Sequence, residues 1–261
     1  MKVILTLGLF LATLGCAASA EPVTVHHTRG AMRGFLTIRT QSGTLLGHAE
    51  YIEFVVGDRV TERLTMNFRD GSLDDETAVF TQKNVFQFVS DHHVQRGPFF
   101  KNSIDMTIEA NGHVTIQTTG RDGKVKNETS HFDLPPDLSN GFVGTLLLNV
   151  PHNGPGLSLG MLLPTEKGRL ARLDITPAGT MPVSVSPGDR RTASLFRIKV
   201  NLGGVAGVIA PMVGKQPADA MLWIVEGEVP GFVREVAQLS EGGPIISLEL
   251  AGTSFSHTAA K

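Results

Sequence analysis

Ser103–Thr119, SIDMTIEANGHVTIQTT, decides how this chain reads. Ile104, Met106, Ile108 and Ala110 fall on every second position, so one face of an extended segment is apolar and the other wet. His113–Thr119 follows as a partner strand, and Asn111-Gly112 between them predicts a two-residue type I′ hairpin turn. The same rhythm continues outward. Arg121–Lys124 is a turn into Val125–Leu134. Upstream, Phe35–Arg39, Leu46–Val56, Arg59–Phe68, Thr77–Gln82 and Val85–His93 read as strands, with Val60, Leu64, Met66 and Phe68 the apolar members of the third. Downstream come Leu157–Leu163, Arg169–Thr176, Thr192–Asn201, Ala220–Val225, Phe232–Leu239 and Ile245–Leu250. The 29 glycines and 14 prolines punctuate these runs, and helix-period patterns are almost absent. The expected class is all-β with minor α.

The rhythm breaks at Asp133-Leu134-Pro135-Pro136-Asp137, because two prolines cannot donate to a strand ladder. Ser139 and Asn140 are cap candidates for a short helix over Phe142–Leu148, ended by Pro151, with a buried strand over the same apolar residues as the alternative. Pro177–Pro187 reads as a connector, Asp70–Glu76 as an acidic loop and His257–Lys261 as a tail. The expected architecture is a single domain over residues 21–256 with a proline-rich junction near 135–155. It is one large curved antiparallel sheet or an incomplete barrel, with the junction helix and the Gly203–Gly214 segment packed inside.

The N-terminus sets the compartment. Lys2, the apolar run Val3–Gly15 and the small-residue site Ala18-Ser19-Ala20 have the order of a secretory signal peptide cleaved before Glu21. A lipoprotein signal acylated at Cys16 fits less well, since Thr13 stands where an aliphatic residue is expected. Cleavage after Ala20 removes the sole cysteine, and with it any disulfide, thiolate metal site or cysteine nucleophile. The expected localisation is periplasmic or secreted. The remaining charge balance is slightly acidic and offers no field for nucleic acid.

Few residues carry chemistry. Asp91-His92-His93, with His26-His27 as a complement, suggests a general base or a metal-assisted hydrolase, but consecutive strand residues face opposite ways, so His92 and His93 do not chelate one ion on a regular strand. Gly156-Leu-Ser158-Leu-Gly160 matches the hydrolase elbow by letter, yet it continues as a strand into Pro164 with no helix after it. The acidic residues at 70–76 miss the calcium-loop spacing, and the glycines at 203–207 lack the phosphate-loop lysine. No cofactor or metal is expected. The apolar Gly203–Gly214 run reads as core, as a cavity lining or as a surface lying on lipid. Val205, Val208, Ile209 and Met212, together with Phe142 and Trp223, are the candidate ligand-binding residues.

The signal sequence, the hairpin series, the Leu134–Leu138 junction and the closing Gly242-Gly243-Pro244-Ile-Ile-Ser-Leu-Glu-Leu250 phrase together carry a resemblance. The chain resembles the uncharacterised exported antiparallel β-sheet proteins of Gram-negative bacteria. More remotely, it is similar to the half-open β-barrels of periplasmic lipoprotein and lipid carriers. That resemblance implies a fold and a hydrophobic ligand, and it brings no catalytic motif. The expectation is an exported binding or carrier protein for a lipid or other apolar molecule, with peripheral membrane contact a further expectation. The alternatives are a hydrolase built on Asp91, His92 or His93, and a structural scaffold of the cell envelope.

Overall fold

The computed structural model describes residues 21–186, 188–203, 217–251 and 254–255. The expected signal segment, most of the Gly203–Gly214 run and the His257–Lys261 stretch lie outside them, and so do the candidate ligand residues Val205, Val208, Ile209 and Met212. In chain order the strands are β1 (Met32–Thr40), β2 (Leu45–Val56), β3 (Arg59–Phe68), β4 (Leu73–Gln82), β5 (Phe86–Arg96), β6 (Ser103–Glu109), β7 (His113–Thr119) and β8 (Val125–His131). The helix α1 (Val143–Leu147) precedes β9 (Leu157–Leu163), β10 (Arg169–Ser186), β11 (Asp189–Asn201), β12 (Ala220–Val225), β13 (Gly231–Gln238), β14 (Ile245–Leu250) and β15 (Ser254–Phe255). All fifteen join one antiparallel sheet, ordered β15-β10-β11-β12-β13-β14-β1-β2-β3-β4-β5-β6-β7-β8, with β9 also on β10.

The sheet curls without closing. Inward residues of β3 and β4 (Val60, Ala78, Phe80) share a core with those of β9–β12 (Leu159, Leu173, Ile175, Phe196, Ile198, Leu222, Ile224). Helix α1 lies between these walls through Leu146 and Leu147, and Phe142 just before it stacks on Phe80 with ring centroids 4.5 Å apart. A second cluster fills the opposite end, where Phe68 meets Phe99 and Phe100. β8 and β9 do not pair with each other. The junction after β8 seals that seam instead. Leu138 forms a parallel bridge with Gly160, Ser139 N–H donates to Gly160 O at 2.9 Å, and Asn140 bonds both the N–H and the O of Leu162 at 2.8 Å. Arg172 holds Asp137 with two bonds of 2.9 and 2.7 Å. A side chain at Gly160 would run into Pro135 at 2.4 Å, so only glycine admits the junction this close.

Three local expectations change. Asn111 does not take a positive φ, whereas Gly112 does, at 89°. Gly112 N–H bonds Glu109 O, and Ile108 faces Val114. The hairpin loop is therefore three residues ending in left-handed glycine, not a type I′ pair. Ser139 and Asn140 do not cap the helix, which has no side-chain cap, because the seam takes their side chains. The Pro177–Pro187 connector is the second half of β10 up to Ser186, paired with β11 across register shifts at Pro177/Thr180 and Ser184/Ser186, where a missing N–H is tolerated.

Candidate functional site

One end of the barrel is concave. A cleft of about 330 Å³ opens between the lead-in segment at His26–His27, the end of α1 with its following loop, and β11–β12. Leu147, Leu148, Val150, Phe196, Ile224 and Val225 supply apolar walls. Alternation along β11 and β12 turns Phe196, Leu222 and Ile224 inward and Trp223 to the other face, and Val225 joins the cleft wall at the end of β12, beyond a register shift at Trp223/Ile224. The rim is polar. His152 Nε2 lies 3.6 Å from Glu226 Oε2, and Ser194 donates to the other oxygen of Glu226. Asn149 Oδ1 accepts the backbone N–H groups of His26 and His27 at 2.8 and 2.6 Å, while its Nδ2 donates to Thr145 O. A single side chain thus ties the lead-in segment to the helix.

Beneath the helix the interior is acidic. Glu53 of β2 and Glu62 of β3 face each other in register and both are buried. Tyr51 Oη is 2.7 Å from Glu53 Oε2 and 2.5 Å from Glu62 Oε2, and Thr145 donates to Glu62 at 2.9 Å. Arg29 Nε donates to Glu53 at 2.9 Å. Burial raises the Glu62 carboxyl to about 8; Glu53 pushes the same way, and the bonds from Tyr51 and Thr145 oppose it. Further in, His93 Nε2 is 2.9 Å from Asp74 Oδ1, with Glu76, Asp91 and Glu235 close enough to interact electrostatically. Burial works against the His93 charge, but Glu76 and Asp74 outweigh it and hold the imidazole up at about 10. Burial, then Glu76 and Asp74, lift Glu235 to about 7. Burial and Glu76 lift Asp91, neither of whose oxygens has a hydrogen-bond partner among the described residues. Asp91 sits under Gly141, whose φ of 74° and lack of a side chain leave it room.

The sequence-derived site residues separate. Asp91 and His93 face the packed interior, while His92 is on the outer face, bonded to Asp105 Oδ1 at 2.9 Å. Phe142 and Trp223 do not meet. Phe142 packs on Phe80 inside, and Trp223 lies against Val183, Ala193, Val225 and Val233 under the guanidinium of Arg234. Ser158 is an ordinary strand residue donating to Asp174. The acids Asp74–Glu76 are not a loop: β4 starts at Leu73 because β3 and β5 pair with it from there. Among the described residues no group of three His, Cys, Asp or Glu side chains stands ready to hold a metal ion. Glu53, Glu62 and Glu235, and on the cleft rim Asn149, His152, Ser194 and Glu226, escaped the sequence reading, whereas Asp91, His26, His27 and the Phe142–Leu148 stretch were among its candidates. One signal was present: Glu62 shares the parity of Val60, Leu64, Met66 and Phe68 and so sits on the apolar face.

Fold and cleft together define a β-barrel-like protein with one open, apolar-walled end. The sequence matches no family model and no curated protein. Among solved structures it is similar to a β-barrel-like protein of the domain of unknown function DUF1849 from Brucella abortus. That likeness has 9% identity, covers 92% of this chain and 99% of the other, and has a TM-score of 0.48.

Proposed function

We propose that the protein is an exported, non-catalytic binding or carrier protein that takes a small apolar ligand into the end cleft. The single observation that supports this is the cleft itself, an apolar-walled concavity with a few polar groups at its rim, the usual form of a small-molecule site. At ~30 Å³ per water-sized group its volume admits a ligand of roughly a dozen heavy atoms, a short acyl chain or a fused aromatic. The hydrolase alternative has no comparable support, because Asp91 and His93 face packed interior with no nucleophile bonded to them among the described residues.

Native mass spectrometry with organic extraction, followed by titration with the apolar fluorophore 1-aminonaphthalene, whose size suits the cleft, tests the reading. Saturable binding, weakened at least tenfold by Val150→Trp at an unchanged melting temperature, is expected. A clean apo mass with no dye binding, or a Val150→Trp variant that binds as well as the parent, would overturn it.

A further inference from the structure

The cleft is walled on one side by two pieces that are not part of its β-strands: the lead-in strap at residues 23–29 and the helix with its following loop. Both end on the same buried carboxyl pair. The strap begins with an antiparallel bridge of Thr24 to Val85, and its far end is fixed by Arg29, whose side chain donates to Glu53 Oε2 and whose backbone N–H and O are both bonded by the Gln82 amide at 2.5 and 3.0 Å. The helix is fixed by Thr145, which donates to Glu62, and Asn149 cross-links helix and strap.

The geometry of the pair needs a proton. The Tyr51 hydroxyl is in hydrogen-bond contact with oxygens of both Glu53 and Glu62 but has one hydrogen to give. The second contact is a hydrogen bond only when a carboxyl carries a proton and donates it to the Tyr51 oxygen. The charge balance agrees: two buried carboxylates face one cation, Arg29, and like charges this close in a dry site do not both ionise. Glu53 Oε1 already lacks a partner among the described residues, so the site has no spare donor to stabilise a second charge.

We propose that Glu62 is a proton-operated latch: protonated, it keeps strap and helix docked over the barrel end, and on losing its proton it releases them and weakens ligand binding in the cleft. The regulation of the cleft rests on the binding role proposed above; the latch itself does not. Everything facing Glu62 is accounted for, with Tyr51 and Glu53 on β2, Arg29 on the strap and Thr145 on the helix. Burial and the two carboxylates hold the Tyr51 hydroxyl above its ordinary range, so it does not titrate here. A released Glu62 meets water and titrates near 4.5, against about 8 when docked. The docked form therefore binds the extra proton between those values. Each pH unit across that window shifts the balance up to tenfold towards release, and above about 8 the shift stops.

Hydrogen-exchange mass spectrometry of ligand-free protein from pH 5 to 9.5, corrected for intrinsic exchange rates, reads the latch directly. Protection of residues 143–150 and 23–29 is expected to fall with rising pH and level off above 8, while Glu62→Gln stays protected and flat. Equal slopes in parent and Glu62→Gln, or pH-independent protection in the parent, would sink the latch. If Glu62→Gln does not fold, Tyr51→Phe replaces it. Losing the hydroxyl removes the group that bridges the two carboxyls and moves the exchange midpoint, and an unmoved midpoint refutes the proposal. The fluorophore is then titrated at pH 6 and 8.5, with affinity expected to drop at least tenfold in the parent only. Absence of dye binding at every pH rejects the carrier role and leaves the exchange result standing on its own.

Discussion

His93 is a positive side chain in an interior crowded with carboxyls. Its Nε2 lies against Asp74 Oδ1, its Nδ1 is 4.0 Å from Glu76 Oε1, and Gln95 completes the group by donating to Asp74 Oδ2 and to Leu239 O. Removing one partner of a buried ion pair leaves an uncompensated charge, at a cost of about 3–5 kcal/mol. His93→Gln is expected to lose that much in urea unfolding at pH 7. His92→Gln, on the exposed face with a solvent-screened pair, should change stability by less than about 0.5 kcal/mol. Equal losses would mean that His93 is not a buried cation. Asp91 offers the opposite case: burial and then Glu76 push its carboxyl well towards the neutral form, and among the described residues it has no hydrogen bond to lose. Asp91→Asn should therefore be neutral or stabilising in the same assay. The Asp-His-His triplet was visible in the sequence as chemistry, but its partners were not. Asp74 and Glu76 read as solvated acids because polar residues are normally outside, and nothing local shows that β4 begins at Leu73.

At the scale of elements, the strands were legible wherever one face is wet, because alternation then marks them. Ile104–Ala110 and Arg59–Phe68 are such cases. β10 beyond Thr176 was not legible, since its prolines are punctuation in isolation and become strand residues only through the partner β11. The junction shows the same limit. Ser139 and Asn140 have the chemistry of helix caps, and only the approach of β9 from twenty residues downstream redirects them. Asn140 is then the element's critical residue, holding the N–H and O of Leu162 with one buried amide. Leaving buried backbone groups unsatisfied costs about 1–3 kcal/mol each. Asn140→Ala is expected to lower stability by roughly 3 kcal/mol and to raise hydrogen exchange in β9 ahead of β5. A uniform rise across the sheet would show that the seam opens only with global unfolding.

For the whole molecule the consequence is a protein that prefers mild acid. Glu62 and Glu235 titrate near 8 and 7 in the folded state and near 4.5 when unfolded, so the unfolded chain sheds those protons first and stability falls as pH rises from about 4.5 to 8. His93 adds to the same trend. Its stabilising charge is fully present below its ordinary 6.5 and is lost on approach to 10. Asp75, held low by its bond from Arg63 and by Thr65, contributes stability that is fully present above its usual 3.8 and is lost only at lower pH, so it leaves the window flat. Each pKa unit is worth about 1.4 kcal/mol, and coupling between the carboxyls reduces the sum, so a net loss of several kcal/mol between pH 5 and 8.5 is expected. The urea midpoint should drop across that range, and the paired substitution Glu62→Gln with Glu235→Gln should flatten the profile and raise the pH 8.5 midpoint. A midpoint that climbs with pH would mean that the interior carboxyls are ionised and solvated, and would remove the physical basis for a proton-operated end to this barrel.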